Sequence, residues 1–161
     1  MAVDYFLKLD GIKGESTDSK HKDEIEIMSW SWGETQTGTV GGGGGGGAGK
    51  VQMQDFHFTA LMTKASPVLF LKCANGSHIK TGTLTGTRAG KGEQEFLKFV
   101  LEDVLISSYQ TGGAAASDAL PTDQFSLNFA KIEFSYAVQK ANGEIGAWVT
   151  EGWDLRANKE G

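Results

Sequence analysis

Few residues in this 161-residue chain are placed to do chemistry, and the most conspicuous candidate is built on glycine. Seven consecutive glycines, Gly41, Gly42, Gly43, Gly44, Gly45, Gly46 and Gly47, run into Ala48-Gly49-Lys50-Val51 and mimic the tail of a phosphate-binding loop. Such a loop needs Ser or Thr after its lysine to ligand magnesium, and position 51 is Val. It must also open a helix whose N-terminal amides hold phosphate, whereas Val51 to Phe58 reads as a strand. The glycine run is better read as a loop between strands. Ordering it is entropically costly, because glycine loses more backbone freedom than any other residue. A compact enzyme core has little use for such a segment; a loop that orders against a neighbouring subunit does.

Other candidates for chemistry are weaker. His21, His57 and His78 share no metal-ligand spacing, and the single cysteine, Cys73, forms no Cys–His motif and no internal disulfide. Glu24 and Glu26 share a strand face opposite Ile25 and Ile27, as on the wet side of a sheet, and Glu93 and Glu95 flank a turn. There is no GxSxG elbow. No catalytic residue, metal ligand or cofactor site is predicted, and the chain is expected not to be an enzyme. Trp30, Trp32, Trp148 and Trp153 could stack on sugars, as in a lectin-like module. Trp30 and Trp32 share parity with Met28, which favours a role as core anchors.

The elements that must carry these residues are mostly strands. Val3, Tyr5, Leu7 and Leu9 recur with period two. Residues Gly11 to Asp23 are charged and read as a long solvent-facing loop. In the following strand, Ile25 and Ile27 hold one parity while Met28, Trp30 and Trp32 hold the other. The same switch recurs between Phe125, Leu127 and Phe129 on one side and Ile132, Phe134, Tyr136 and Val138 on the other, across Ala130 and Lys131. A parity change inside a strand marks a bulge or a corner where the chain passes between sheets. Further strands are expected over Ile79 to Arg88, Glu93 to Ser108 and Trp148 to Arg156. One helix is predicted, with Ser66 as N-cap, Pro67 at the first helical position, and Asn75-Gly76 closing it.

Composition sets the class. The chain is 39% hydrophobic, enough for one domain with a real core, and its net charge of −5 argues against nucleic acid as main partner. The N-terminal segment has no basic n-region and no uninterrupted apolar stretch, so synthesis in the cytoplasm without a signal peptide or membrane span is expected.

An ordered set of short motifs then carries a resemblance. Met1-Ala2-Val3-Asp4 leads into an alternating strand, followed by Gly14-Glu15-Ser16, Trp30-Ser31-Trp32-Gly33 and the glycine run into Gly49-Lys50-Val51. Ser66-Pro67, Thr111-Gly112-Gly113, Leu127-Asn128-Phe129-Ala130-Lys131-Ile132 and Gly152-Trp153-Asp154-Leu155-Arg156 complete the set. In this order, over essentially the whole chain, they resemble the haemolysin-coregulated protein (Hcp) family.

The resemblance implies a single all-β domain over residues 1–161: a β-barrel of two packed antiparallel sheets, one short α-helix at its side and a long extended glycine-rich loop. It implies a structural role in the type VI secretion system, as homo-hexameric rings stacked into the inner tube. A contractile sheath surrounds that tube, a trimeric spike caps it, and small effector proteins are carried in the ring lumen. Such a protein leaves the cell through the apparatus without a signal peptide. By side-chain alternation Ser31 faces away from the core if Trp30 and Trp32 face it, and the resemblance implies that this outward surface lines the lumen. Ser31 is therefore the expected effector contact, while Gly41 to Gly47 with Lys50 form the expected inter-subunit or inter-ring loop. A monomeric β-barrel binding module using exposed tryptophans, and a hydrolase with an unrecognised site, remain competing readings.

Overall fold

In a computed structural model, residues 2–38, 50–90 and 92–161 are described. The expected glycine arm, Gly41 to Gly47, lies outside the described residues.

Twelve strands and one helix are described. The organising strand is β8 (Gly92–Gly112), which is long enough to serve three neighbours. It pairs along most of its length with β7 (His78–Gly90). Its first half pairs with β10 (Lys131–Gln139), through Phe99↔Phe134 and Leu97↔Tyr136. Its second half pairs with β9 (Thr122–Asn128). Asp103 lies between the two halves with φ 53°, a left-handed conformation disfavoured for a residue with a Cβ. Its carboxylate is held there by His78 Nδ1 at 2.6 Å and by Arg156.

From β7 the ladder continues to β1 (Val3–Leu9) and β2 (Ile25–Ile27). From β9 it continues to β6 (Phe56–Leu61) and β3 (Ser29–Ser31). The chain itself joins these two ends, because β2 passes into β3 through Met28, whose N–H donates to Thr59 O at 2.8 Å. The predicted parity switch is this passage: Ile25 and Ile27 are buried while paired with β1, and Trp30 turns inward once paired with β6. Met28 is left 59% exposed at the corner, unlike the tryptophans whose parity it shares. The second switch is equally real, since Phe125 and Leu127 belong to β9 and Ile132 to β10, with Ala130 between them. The all-β barrel with one side helix is thus what the chain adopts. Its two layers are arms of one ladder folded over at β8.

Aromatic rings fill the space between the layers. Phe56 is completely buried and packs against Trp30, Trp32, Phe58 and Phe99, with centroids 5.0 to 5.9 Å apart. Such pairs add about 0.5–1.5 kcal/mol each beyond their area burial.

Helix α1 (Ser66–Asn75) packs on β8, and Gly76 closes it at φ 65°, the left-handed cap expected from Asn75-Gly76. Its start corrects the sequence reading. Ala65 is the N-cap and Ser66 makes no cap bond to the helix. Ser66 Oγ instead donates to Asp123 Oδ2 on β9, and Asp123 also accepts from Tyr109 Oη at 2.9 Å. This buried network ties the helix to the barrel; burial, reinforced by the bond to Asp123, pushes the Tyr109 phenol up.

Strands β11 (Ile145–Asp154) and β12 (Lys159–Glu160) extend outward from β10. A separate two-stranded hairpin, β4 (Glu34–Gln36) with β5 (Val51–Met53), leads toward the glycine run. The segment 11–23, expected to face solvent, is instead folded down on the barrel, with Ile12, Ser16 and His21 buried. Among the described residues no helix is long and apolar enough to cross a membrane.

Candidate assembly and cargo surfaces

Ser31 sits where alternation places it. Trp30 and Trp32 pack on the core and Ser31 is exposed between them, paired across the ladder with His57. The register runs on through Ser126 to Ser108, so one outward row reads Ser31, His57, Ser126, Ser108. A parallel row reads Ser29, Thr59, Gln124, Gln110. In the Ser31 row, Ser126 is buried under hydroxyl contacts from Ser107 at 2.7 Å and Ser108 at 2.5 Å. These two rows carry no Asp, Glu, Lys or Arg, in a chain that is 22% charged. Depletion of charge is a compositional mark of interface centres. His57 was not singled out by its sequence context, because only the register with Ser31 brings the two together.

A second surface is apolar. On β10 the even positions share one face, and that face continues the core side of β8: Ile132 lies opposite Leu101, Phe134 opposite Phe99, and Tyr136 opposite Leu97. Only Ile132 is buried. Phe134 is 44% exposed although its ring stacks on Phe99 at 4.3 Å, and Tyr136, Val138 and Val149 are more than two-fifths exposed. The physical reason is topological. Strand β9 pairs with the far half of β8, and β6 pairs with β9, so neither lies beside β10 and β11, whose outer part is left without a second layer. Among the described residues, β12 pairs with only Trp153 and Asp154 of β11 and Gly161 N–H donates to Gly152 O, which leaves an open edge from Ile145 to Glu151. Exposed edges and apolar faces of this kind invite another chain.

The β4–β5 hairpin stands over the inner end of this face. A groove of about 620 Å³ separates them, lined by Trp32, Val51 and Met53 on one side and Ile132, Phe134 and Trp153 on the other. Lys50, exposed, lies at the root of the glycine run immediately before β5. Trp153 is half-buried and Trp148 is exposed on the opposite face of β11, paired with Ala137, so the four tryptophans form no common sugar platform. Among the described residues no group of His, Cys, Asp and Glu could hold a metal ion.

Comparison with known proteins agrees with this architecture. The family described as "Type VI secretion system effector, Hcp" matches residues 6–136. The chain is 48% identical over 160 residues to protein Hcp1 of Pseudomonas aeruginosa, covering 98% of each. Among solved structures it is similar to Hcp1 from Salmonella typhimurium, with a TM-score of 0.83 at 36% identity over 99% of both chains. It is similar also to a structure described as a type six secretion system protein, with a TM-score of 0.94 at 31% identity over 99% of this chain and 100% of that one. A family match over residues 6–136, and a sequence and fold shared over nearly the full length, place this chain in the Hcp family of type VI secretion proteins.

Proposed function

We propose that the chain is a structural tube subunit that closes into homo-hexameric rings, stacks them, and carries small effector proteins in the ring lumen. The observation that carries this reading is the uncovered apolar face of β10–β11 beside an open strand edge, which a second copy would bury. A cyclic ring needs two different surfaces that meet head to tail. The main ladder offers them: β11 and β12 end it on one side, and β2 ends it on the other. Beside β2 a groove exposes Val3, Met28, Leu61 and Leu120.

Within that assembly the uncharged Ser31 face lines the lumen, and the glycine arm rooted at Lys50 orders against an adjacent subunit or ring. A contractile sheath and a trimeric spike are the expected neighbours of the tube, and the protein leaves the cell with it. Purified protein imaged by negative stain should show six-fold rings. Ser31→Gln should leave rings intact and lower retention of a co-expressed effector; ring loss instead would assign Ser31 to packing. Shortening Gly41 to Gly47 to two glycines should leave single rings and shorten stacks, and an unchanged distribution of stack lengths would contradict the role of the arm.

A further inference from the structure

Helix α1 is apolar on both sides. Only Ser66, Lys72 and Asn75 among its ten residues are polar. Ala65 and Leu69 are buried, and Val68 and Cys73 pack against the same core. The opposite face reads Pro67, Phe70, Leu71 and Ala74, the i, i+3, i+4, i+7 spacing of one helical stripe, and all four are exposed. Phe70 is 59% and Leu71 55% exposed, although a helix apolar all round belongs in an interior. Among the described residues the main packing partner of α1 is β8, on the inner side.

The charge around this stripe is one-sided. Residues 56–92 contain no Asp or Glu but hold Lys64, Lys72, Lys80, Arg88 and Lys91, in a chain whose net charge is −5. Lys64 is exposed beside the start of α1, and Lys72 stands in its last turn. Among the described residues neither side chain is in an ion pair. The carboxylates that touch this region are already engaged. Asp123 is buried under Ser66 and Tyr109, Asp103 is held by His78 and Arg156, and Glu15 accepts the Lys64 backbone N–H at 2.8 Å.

The stripe also lies apart from the surfaces proposed to close the ring. Ser66 is tied to Asp123, which pairs with Thr111, and His78 beyond the helix pairs with Leu105, so α1 runs along the far half of β8. Strand β10 pairs with the other half, from Leu97 to Glu102. None of the four stripe residues lines the groove beside β2.

We propose that the outer face of α1 is a docking site for an amphipathic helix of a different protein, one whose apolar ridge is flanked by Asp and Glu. Phe70 and Leu71 are the anchors, and Lys64 and Lys72 are the charged rim. A helical ridge seats on an i, i+3, i+4 stripe, and its carboxylates then meet the lysines. A lipid surface fits less well. Electrostatic attachment to lipid uses clusters of about four to eight basic residues, whereas the helix itself carries one, Lys72.

The probe is a labelled synthetic helical peptide of about four turns, with leucines at i, i+3 and i+4 spacing and glutamates on both flanks. Titrated against the intact protein by fluorescence anisotropy, it should bind, and more weakly as salt is raised. The same peptide with lysine for each glutamate should bind at least about tenfold more weakly. That comparison needs no variant. Phe70→Ser with Leu71→Ser should weaken the acidic peptide by about tenfold or more, and Lys64→Glu with Lys72→Glu by about threefold to tenfold. Absence of binding, equal binding of the two peptides, or full binding by the Phe70–Leu71 variant would overturn the proposal. Loss of the wild-type solution mass in that variant would also overturn it, by assigning the face to a contact between copies. Binding to phosphatidylglycerol vesicles that the same two substitutions abolish would overturn it in favour of lipid. A wild-type monomer that binds the acidic peptide as predicted would contradict the ring and support the docking site.

Discussion

Two stretches of this chain carry the same alternation and meet opposite fates. In residues 28–32 the even aromatics turn inward and pack on Phe56 and Phe99. In residues 132–138 the even apolar side chains also share a face, yet Phe134, Tyr136 and Val138 reach solvent. The difference does not lie in their hydrophobicity. Strands β3 and β6 face a second layer across the barrel, whereas β10 and β11 run past it. A face without a second layer within the chain has to find one in another chain or stay wet. This contrast separates what holds the chain together from the face that the proposed ring would bury between subunits.

Substitutions can break the contrast at several points. Phe56→Ala should have the largest effect on folding, about 3–5 kcal/mol by urea titration, because its completely buried ring contacts both layers. Ser66→Ala should follow at about 1–3 kcal/mol, since it removes one of the two donors to the buried Asp123 carboxylate. Phe134→Ala should lose about 1 kcal/mol, mainly its stacking on Phe99, and sharpens the comparison because Phe134 belongs to both regions. Val149→Lys should change the stability of the dilute, unassembled chain by less than about 0.5 kcal/mol, as expected of a side chain 64% exposed. Its effect should appear in assembly alone. Equal losses of chain stability from Phe56→Ala and Val149→Lys would erase the distinction between the two regions.

Local geometry explains which features were legible in the sequence. Side-chain alternation is a property of neighbouring residues, so the switches at Met28 and at Ala130-Lys131, the exposure of Ser31, and the Gly76 helix cap could all be read from the chain. What depends on distant partners could not. Ser66 was expected to cap the helix, but Asp123 on β9 takes its hydroxyl. Residues 11–23 look solvated by composition, yet Phe6, Glu24 and Glu95 hold His21 in a buried site. Likewise, β10 reads as an amphipathic strand from its residues, but nothing local says that its apolar face lies beyond the second layer. Family motifs supplied the architecture; the register supplied His57 beside Ser31.

The mass of the purified protein in solution, by light scattering, tests the central claim most directly. The proposed hexameric ring predicts a species about six times the 17.2 kDa chain for the wild type, and burial of the β10–β11 face within it predicts a shift toward the single chain for Val149→Lys. A wild-type protein that remains a monomer at micromolar concentration, or a Val149→Lys variant that assembles as fully as the wild type, would contradict it.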